Sequence, residues 1–201
     1  MTRALAIMAR TPRLHHTKTR LVPALGAQGA LQAHTRLVED MLRRLHPLVG
    51  VDRSLWVTHE DQTVARWAEL GECSLCRQPE GDLGARMQGI FEQLLVGGAQ
   101  AACVVGADVP SINAEFVTRA FTHLLHADVV LAPAEDGGYG LIGMKSPWPA
   151  LFEGVEWGSA EVLHQTLTAA RRVDLRVHLL PCVWDVDEPA DWYRYLAMMA
   201  E

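Results

Sequence analysis

Two sets of carboxylates lie far apart in this chain, and each stands where a hard cation could be held. Asp108 follows the fully apolar run Ala101 to Val105, within Gly106-Ala107-Asp108-Val109-Pro110. An apolar run of that length, bounded by turn residues, reads as a buried parallel strand. Open α/β sheets bind ligands outside the carboxyl ends of such strands. Asp185 and Asp187 alternate in Trp184-Asp185-Val186-Asp187-Glu188-Pro189, so an extended backbone turns both to one face. Carboxylates from these two places could jointly hold one magnesium or manganese ion, with phosphate oxygens completing its shell. Simpler roles compete: Asp108 as the N-cap of the next helix, Asp187 as an N-cap with Pro189 in the first turn.

The anion for such a cation has a natural seat in the loop Arg10 to Leu21, after the first strand. Arg10, Arg13, Lys18 and Arg20 place four cations there, with imidazoles at His15 and His16. A loop between a buried strand and a helix start is where phosphates are held. Lys18 and Lys145 are the only lysines of a chain that otherwise uses Arg, which marks Lys18 as a position wanting a compact ammonium. A solvated basic loop is the plainer alternative. Neither Gly-x-x-x-x-Gly-Lys-Ser/Thr nor Gly-x-Gly-x-x-Gly is present in it. A third segment, Glu135-Asp136-Gly137-Gly138-Tyr139, follows the apolar run from Asp128 to Pro133. Its Asp-Gly-Gly is strong turn chemistry, and the same turn would aim Asp136 and Tyr139 at the sheet edge that carries Asp108.

These residues need a scaffold, and the periodicity supplies one. Strands are expected at 3–9, 53–58, 73–77, 101–106, 127–133, 139–144 and 175–183, and helices at 26–46, 61–70, 82–96, 112–126, 159–172 and 188–199. In the first helix Leu31, His34, Leu37, Val38, Met41, Leu42 and Leu45 recur at three and four, laying one apolar face on a sheet. Such alternation predicts a three-layer αβα sandwich around a mostly parallel mixed sheet. With 201 residues, 49% hydrophobic, and no repeat or linker, the chain is expected to be one domain over 1–201.

Composition narrows the partners. A net charge of −6 argues against a general nucleic-acid surface. No apolar stretch approaches the roughly 20 residues of a membrane span. The N-terminal residues read as a strand rather than a signal peptide. Four cysteines (73, 76, 103 and 182) scattered through apolar segments suit a reduced, cytoplasmic setting. Cys73-Ser74-Leu75-Cys76 runs into a strand end rather than opening a helix and has no second pair, so it reads as structural. His59, His123, His126 and His164 read as surface or packing residues.

Six ordered motifs carry a resemblance over nearly the whole chain. They are Lys-Thr-Arg-Leu at 18–21, Gln78 with Gly-Asp-Leu-Gly-Ala-Arg-Met at 81–87, Gly-Ala-Asp-Val-Pro, Asp-Gly-Gly-Tyr, Trp157-Gly158-Ser159 and Asp-Val-Asp-Glu-Pro. The chain resembles a bacterial family labelled GT-A-type glycosyltransferase, related to the 2-phospholactate and molybdenum cofactor guanylyltransferases. The resemblance implies a GT-A, nucleotide-diphospho-sugar transferase-like (Rossmann-like) fold. It puts Lys18 and Arg20 on triphosphate and Gln78 with Gly81 to Gly84 in the base pocket. The nucleotide set becomes Arg10, Lys18, Arg20, Gln78, Gly81, Asp82, Gly84 and Arg86. Asp108 becomes the metal ligand, with Asp187 second and Asp185 beside it. Asp136, Gly137, Gly138 and Tyr139 fall to the acceptor side, with Asp136 a candidate base beside Lys18 and Arg20 in catalysis. One departure stands out: the family's Pro-x-Pro-Gly before the lysine is altered, Leu14 and His15 replacing the second Pro and the Gly. His15 thus replaces a residue that takes positive φ freely.

The function expected is metal-dependent nucleotidyl transfer from a nucleoside triphosphate to a small phosphorylated or hydroxylated acceptor, with pyrophosphate leaving. A glycosyltransferase using a nucleotide-sugar is the alternative, and a nucleotide-binding protein without turnover is a third reading. No nucleic acid or membrane is expected among the partners, and a homodimer is left open.

Overall fold

The computed structural model describes residues 2–200. Its elements run β1 (Arg3–Ala9), α1 (Val22–Leu45), β2 (Asp52–Val57), α2 (Gln62–Gly71), β3 (Ser74–Arg77), α3 (Leu83–Val96) and β4 (Ala101–Gly106). There follow α4 (Ala114–His123), β5 (Val129–Pro133), β6 (Tyr139–Met144), α5 (Val162–Arg172), β7 (Val177–Leu179) and α6 (Pro189–Met198). The seven strands form one sheet in the order β3-β2-β1-β4-β6-β5-β7. β1 to β4 pair in parallel, β6 runs antiparallel between β4 and β5, and β7 pairs parallel with β5. This is the mixed, mostly parallel sheet the sequence predicts.

Strand composition follows from burial on both faces. In β4, Cys103 and Val105 point to one side and Ala102 and Val104 to the other, all buried. The first side packs under α1, α2 and α4, through Val38, Leu42, Trp67 and Phe121. The second packs under α3 and α5, through Ile90, Phe91 and Ala170. Three layers result. A smaller cluster, Leu21, Leu37, Trp192 and Tyr195, docks α6 against the start of α1. Among the described residues no helix is long and apolar enough to cross a membrane.

Two elements depart from expectation, each for a local reason. α1 begins at Val22, with Pro in its first turn, and breaks at Gly26, whose φ of 70° and ψ of 167° no helix accommodates. The expected start at 26 is therefore the start of its second segment. β7 covers only three residues of the expected 175–183, since Pro181 has no N–H for a ladder. The chain rejoins the sheet at an isolated bridge between Ala134 and Val183.

The β5–β7 edge is clamped by Asp128. Its carboxylate accepts from the Arg176 Nε, Nη2 and backbone N–H, each at 3.0 Å. These bonds hold the Asp128 carboxyl at about 2. A folded pKa below the unfolded value of about 3.9 gives a contribution present above pH 4 and lost as pH falls toward 2. Arg176→Ala is accordingly expected to flatten the slope of Tm against pH between 4 and 2, measured by thermal denaturation in an acid series.

Candidate functional site

The carboxyl ends of β1, β4 and β3 open onto a cleft of about 730 Å³. It is lined by Arg10, Lys18 and Arg20 from the β1 loop, by Gln78, Gly81, Asp82 and Arg86, and by Asp108, Asp136, Gly138, Tyr139, Asp185 and Asp187. Segments from the beginning, middle and end of the sequence thus meet at one mouth.

Asp108 is brought there by the end of β4. Gly106 gives it room: a Cβ at that position would lie 3.0 Å from the Asp108 Oδ1. The Asp108 carbonyl accepts from the Val186 N–H at 3.0 Å, which pins the Asp185 to Asp187 segment beside it. Neither Asp108 nor Asp187 is spent on a helix. Asn113 caps α4 by accepting from Phe116 N–H, and Glu188 caps α6 in a capping box with Asp191. The N-cap alternatives for Asp108 and Asp187 are thereby replaced.

Lys18 reaches across to both carboxylates. Its Nζ donates to the Asp108 Oδ2 at 2.7 Å and lies 3.8 Å from the Asp187 Oδ1, while the Arg20 Nη1 donates to the Asp187 Oδ2 at 2.6 Å. Burial opposes the Lys18 ammonium, but the Asp108 charge and hydrogen bond prevail, raising its pKa above the usual lysine value. The same pair holds Asp108 below the usual carboxylate range in spite of its own burial. Asp185 is the opposite case. Burial, then repulsion from Asp108 and Asp136, pushes its carboxyl up to about 6. Three acids therefore crowd a mouth where Lys18 faces two of them and burial and repulsion outweigh its attraction for the third, Asp185.

That imbalance and the hard-oxygen chemistry of Asp108, Asp185 and Asp187 fit a divalent cation. Among the described residues no three acidic or imidazole side chains converge as a complete protein cage. A cation there would draw its remaining ligands from substrate oxygens and water, the arrangement Mg²⁺ favours.

The loop that carries Lys18 keeps a glycine-like shape without glycine. His15 adopts φ 65° and Lys18 φ 48°, both left-handed. Histidine is among the few residues enriched there, so His15 takes this conformation without a glycine at an expense of about 1–2 kcal/mol. The turn is braced by the Thr17 hydroxyl, which accepts from the Arg13 N–H and donates to the Arg13 carbonyl, both at 3.1 Å. Its base is held by His34 of α1, whose Nε2–H donates to the Arg10 carbonyl at 2.8 Å. Burial keeps the His34 pKa below its usual value, so the neutral ring makes that bond. His34 escaped the sequence reading because it sits in step with the apolar face of α1; its being the polar member of that stripe was the available signal.

Several expected site residues serve the walls rather than the interior. The Gln78 amide N–H₂ is used up by the Ala9 and Trp56 carbonyls at 3.0 and 2.9 Å, tying β1 and β2 to the β3 end. Its Oε1 faces the Arg86 Nη1 at 3.4 Å, and the Arg86 Nε donates to the Gly81 carbonyl at 2.9 Å. Asp82 caps α3 by accepting from Ala85 N–H at 2.8 Å. Gly84 and Gly137 do not line the cleft. A Cβ on Gly84 would lie 2.6 Å from the Trp157 indole, and one on Gly137 2.2 Å from the Ala160 carbonyl oxygen, so both glycines permit close packing.

Asp136, expected on the acceptor side, is exposed to the cleft, and its Oδ1 accepts from the Gly138 N–H at 2.9 Å. The turn reading and the cleft reading both hold. Tyr139 reaches the cleft with its ring alone. Its ring lines the cleft, but its hydroxyl is buried beside Thr166 of α5, and neither hydroxyl has a well-formed hydrogen bond. Burial raises the phenol pKa above its usual value. Tyr139→Phe is therefore expected to leave stability within about 1 kcal/mol and turnover unchanged. A kcat loss of tenfold or more would return the hydroxyl to the reaction.

Cys73, just before β3, and Cys76, within it, are free thiols. Burial pushes Cys73 to about 11 and raises Cys76, as expected of structural cysteines.

The chain is similar to known transferases. A phosphoenolpyruvate guanylyltransferase from Chloroflexus aggregans is 26% identical over 194 residues, 92% of this chain and 93% of the relative. A 2-phospho-L-lactate guanylyltransferase from Methanothermobacter thermautotrophicus is 30% identical over 129 residues, 63% of this chain and 55% of the relative. A crystal structure assigned as a nucleotide-diphospho-sugar transferase, from Desulfovibrio desulfuricans G20, superposes with a TM-score of 0.85 at 30% identity. It covers 94% of this chain and 84% of that one. The profile of the family described as "Uncharacterized protein conserved in bacteria (DUF2064)" matches residues 41–159. The chain belongs to the DUF2064 family and is a transferase.

Proposed function

We propose that this chain transfers a nucleotidyl group from a nucleoside triphosphate to a small phosphorylated or hydroxylated acceptor, releasing pyrophosphate. The observation that carries the reading is the meeting of Lys18 and Arg20 with Asp108 and Asp187 at the carboxyl ends of the central strands. Cations from the β1 loop and carboxylates from β4 and the 185–187 segment meet at one mouth, so a triphosphate there would find counter-charge in Lys18 and Arg20 and, through a divalent cation, in the carboxylates. The guanylyltransferase names of two relatives support it.

In the reaction an acceptor oxygen attacks the α-phosphorus in line. The bond from that phosphorus to the bridging oxygen breaks, and pyrophosphate leaves with the electron pair. Lys18 and Arg20 offset the charge that spreads over the phosphates, which is electrostatic catalysis by groups already in place. Asp136 takes the proton where the attacking group is a hydroxyl. Magnesium or manganese held by Asp108 with Asp185 and Asp187 would supply further neutralisation and orientation of the phosphates.

Incubation with each nucleoside triphosphate, Mg²⁺ and panels of phospho-acids and alcohols tests the reading, with pyrophosphate as the signal. The Desulfovibrio desulfuricans structure favours a second reading, glycosyl transfer. Release of a nucleoside diphosphate from a nucleotide-sugar would mark that reaction, and binding without release would mark a non-catalytic binding protein.

Lys18 gives a further expected result. Charge-assisted bonds to phosphate are worth roughly 1.5–3 kcal/mol. Lys18→Ala should weaken triphosphate binding about ten- to a hundredfold by calorimetry, with far less effect on the nucleoside. Equal losses for both ligands would make Lys18 a scaffold residue.

A further inference from the structure

Beside the cleft lies a second hollow, of about 470 Å³, at the carboxyl ends of β1, β2 and β3. Its lining takes in the residues that directly follow those strands: Arg10 and Thr11, Thr58 and His59, Gln78 and Pro79. The three strands are parallel neighbours, so the hollow stands where open α/β sheets receive ligands. Arg10, His16, Gln78 and Arg86 border both spaces, which makes them neighbours.

The floor of this hollow is laced together by bonds that leave most of its charged side chains out. The buried Thr11 hydroxyl accepts from the His59 N–H at 2.8 Å and from the Thr58 hydroxyl at 3.2 Å, and donates to the His59 carbonyl. The Thr11 N–H donates to the Thr58 Oγ1 at 3.1 Å. Gln78 fastens the end of β3 to β1 and β2 through the Ala9 and Trp56 carbonyls. Arg10, Arg13, His16 and His59 enter these networks through backbone atoms alone. Among the described residues their side chains have no hydrogen-bond or ion-pair partner.

Four arginines line the hollow, Arg10, Arg13, Arg77 and Arg86, against one acid, Glu80. That is a formal excess of three positive charges in a chain whose net charge is −6. Glu80 meets Arg77 at 3.2 Å, which leaves three guanidinium groups without a carboxylate. Arg86 bonds only the neutral Gly81 carbonyl and Gln78 Oε1. Guanidinium groups gathered in this way fit a multiply charged oxyanion, whose oxygens match their planar fork. A single carboxylate would leave most of that charge unmet.

We propose that this hollow binds a phosphate group at a place separate from the seat at Lys18. Arg10, Arg13 and Arg86 supply its counter-charge, and His16 and His59 stand beside them as N–H donors. The inference rests on the lining of this hollow and does not depend on nucleotidyl transfer. The phosphate belongs either to the far end of a triphosphate seated in the cleft or to a second phosphorylated molecule.

The test uses full-length protein carrying ¹⁵N-labelled histidine, with inorganic pyrophosphate as the probe and no divalent cation added. His59 borders the hollow and not the cleft, so its ring signals, assigned by their loss in His59→Gln, report this site. Pyrophosphate is expected to shift them saturably. The double variant Arg13→Gln, Arg77→Gln should weaken that binding by about tenfold or more, as two charge-assisted donors are lost. Both side chains are exposed, and the Thr17 brace uses only the backbone of Arg13, so the double variant should keep the parental Tm. Lys18→Ala should leave the affinity read at His59 within about threefold, the reach of a screened, more distant charge.

Repeating the titration beside an α,β-methylene nucleoside triphosphate separates the two sources. A His59 shift given by the analogue itself, with no further change on adding pyrophosphate, assigns the phosphate to the triphosphate. Pyrophosphate binding undiminished beside the analogue assigns it to a second molecule. The absence of a saturable shift overturns the inference, as does an equal shift with chloride at matched ionic strength. So does binding that is lost in Lys18→Ala and kept in the double variant, which would place the anion in the cleft. Pyrophosphate release in the acceptor panels judges the nucleotidyl-transfer reading separately.

Discussion

Asp108→Ala is expected to abolish nucleotide binding that depends on Mn²⁺ while the chain remains folded. Thermal-shift titration shows this most directly: the parent gains Tm when Mn²⁺ and nucleoside triphosphate are added together, and the variant gains none. The carboxylate lost is the one that Lys18 meets at 2.7 Å. Without it Asp185 loses its neighbour for a shared cation, and a hard ion held by few protein oxygens loses the central one. The fold should survive for two reasons. The cap of α4 is Asn113, so the helix after β4 does not depend on Asp108. Lys18, whose side chain is only 8% exposed, would lose its closest partner but keep Asp187 at 3.8 Å. The cost is then at most the roughly 3–5 kcal/mol of a broken buried pair, and a domain with about 5–15 kcal/mol in hand bears that. Mn²⁺-nucleotide binding equal to the parent's would remove Asp108 from the metal site.

Asp136→Asn should separate turnover from binding. Nucleotide affinity is expected to stay within a few-fold, while transfer to a hydroxyl acceptor falls by roughly two or more orders of magnitude, the scale of a lost general base. The substitution disturbs little else. Asparagine keeps an Oδ1 to accept the Gly138 N–H, a bond of 2.9 Å with the aspartate, so the turn persists. What disappears is a basic oxygen facing the cleft. Single-turnover transfer rates measured beside calorimetric nucleotide affinities give both quantities. Parental transfer rates would leave Asp136 as a turn residue, and a collapse of nucleotide affinity would move it to the cation.

The scaffold was legible because both of its periodicities are strong. β1, β4 and β6 fall on their expected residues, since each is an apolar segment closed by a glycine, a turn or a charged residue. The meeting of Asp108 with the 185–187 segment was also legible in kind, as hard ligands at strand ends. Partnerships between side chains were less so. Nothing in the letters says that Lys18 bridges Asp108 and Asp187, or that Asp185 stands apart, because both depend on the Val186 N–H reaching the Asp108 carbonyl. Gln78 and Tyr139 show the same limit from the other side. Each lies where expected, yet the Gln78 amide is consumed by backbone carbonyls and the Tyr139 hydroxyl faces α5. Residue type tells what a group can do, whereas its direction is set by packing partners distant in sequence.

The antiparallel insertion of β6 between β4 and β5 has a consequence for how such a protein can change. A parallel crossover would have tied the Asp136 edge of the cleft to a whole helix, whereas a hairpin ends in a short turn. Residues 135 and 136, the exposed tip of that turn, can therefore be exchanged or recharged while both ladders of β6 stay in register. The side proposed for the nucleotide, built on the parallel β1, β2 and β3, shares no strand with that turn. Mutations on the two sides should accumulate almost independently. A lineage could trade one acceptor for another in a few steps at the hairpin and keep its donor chemistry throughout.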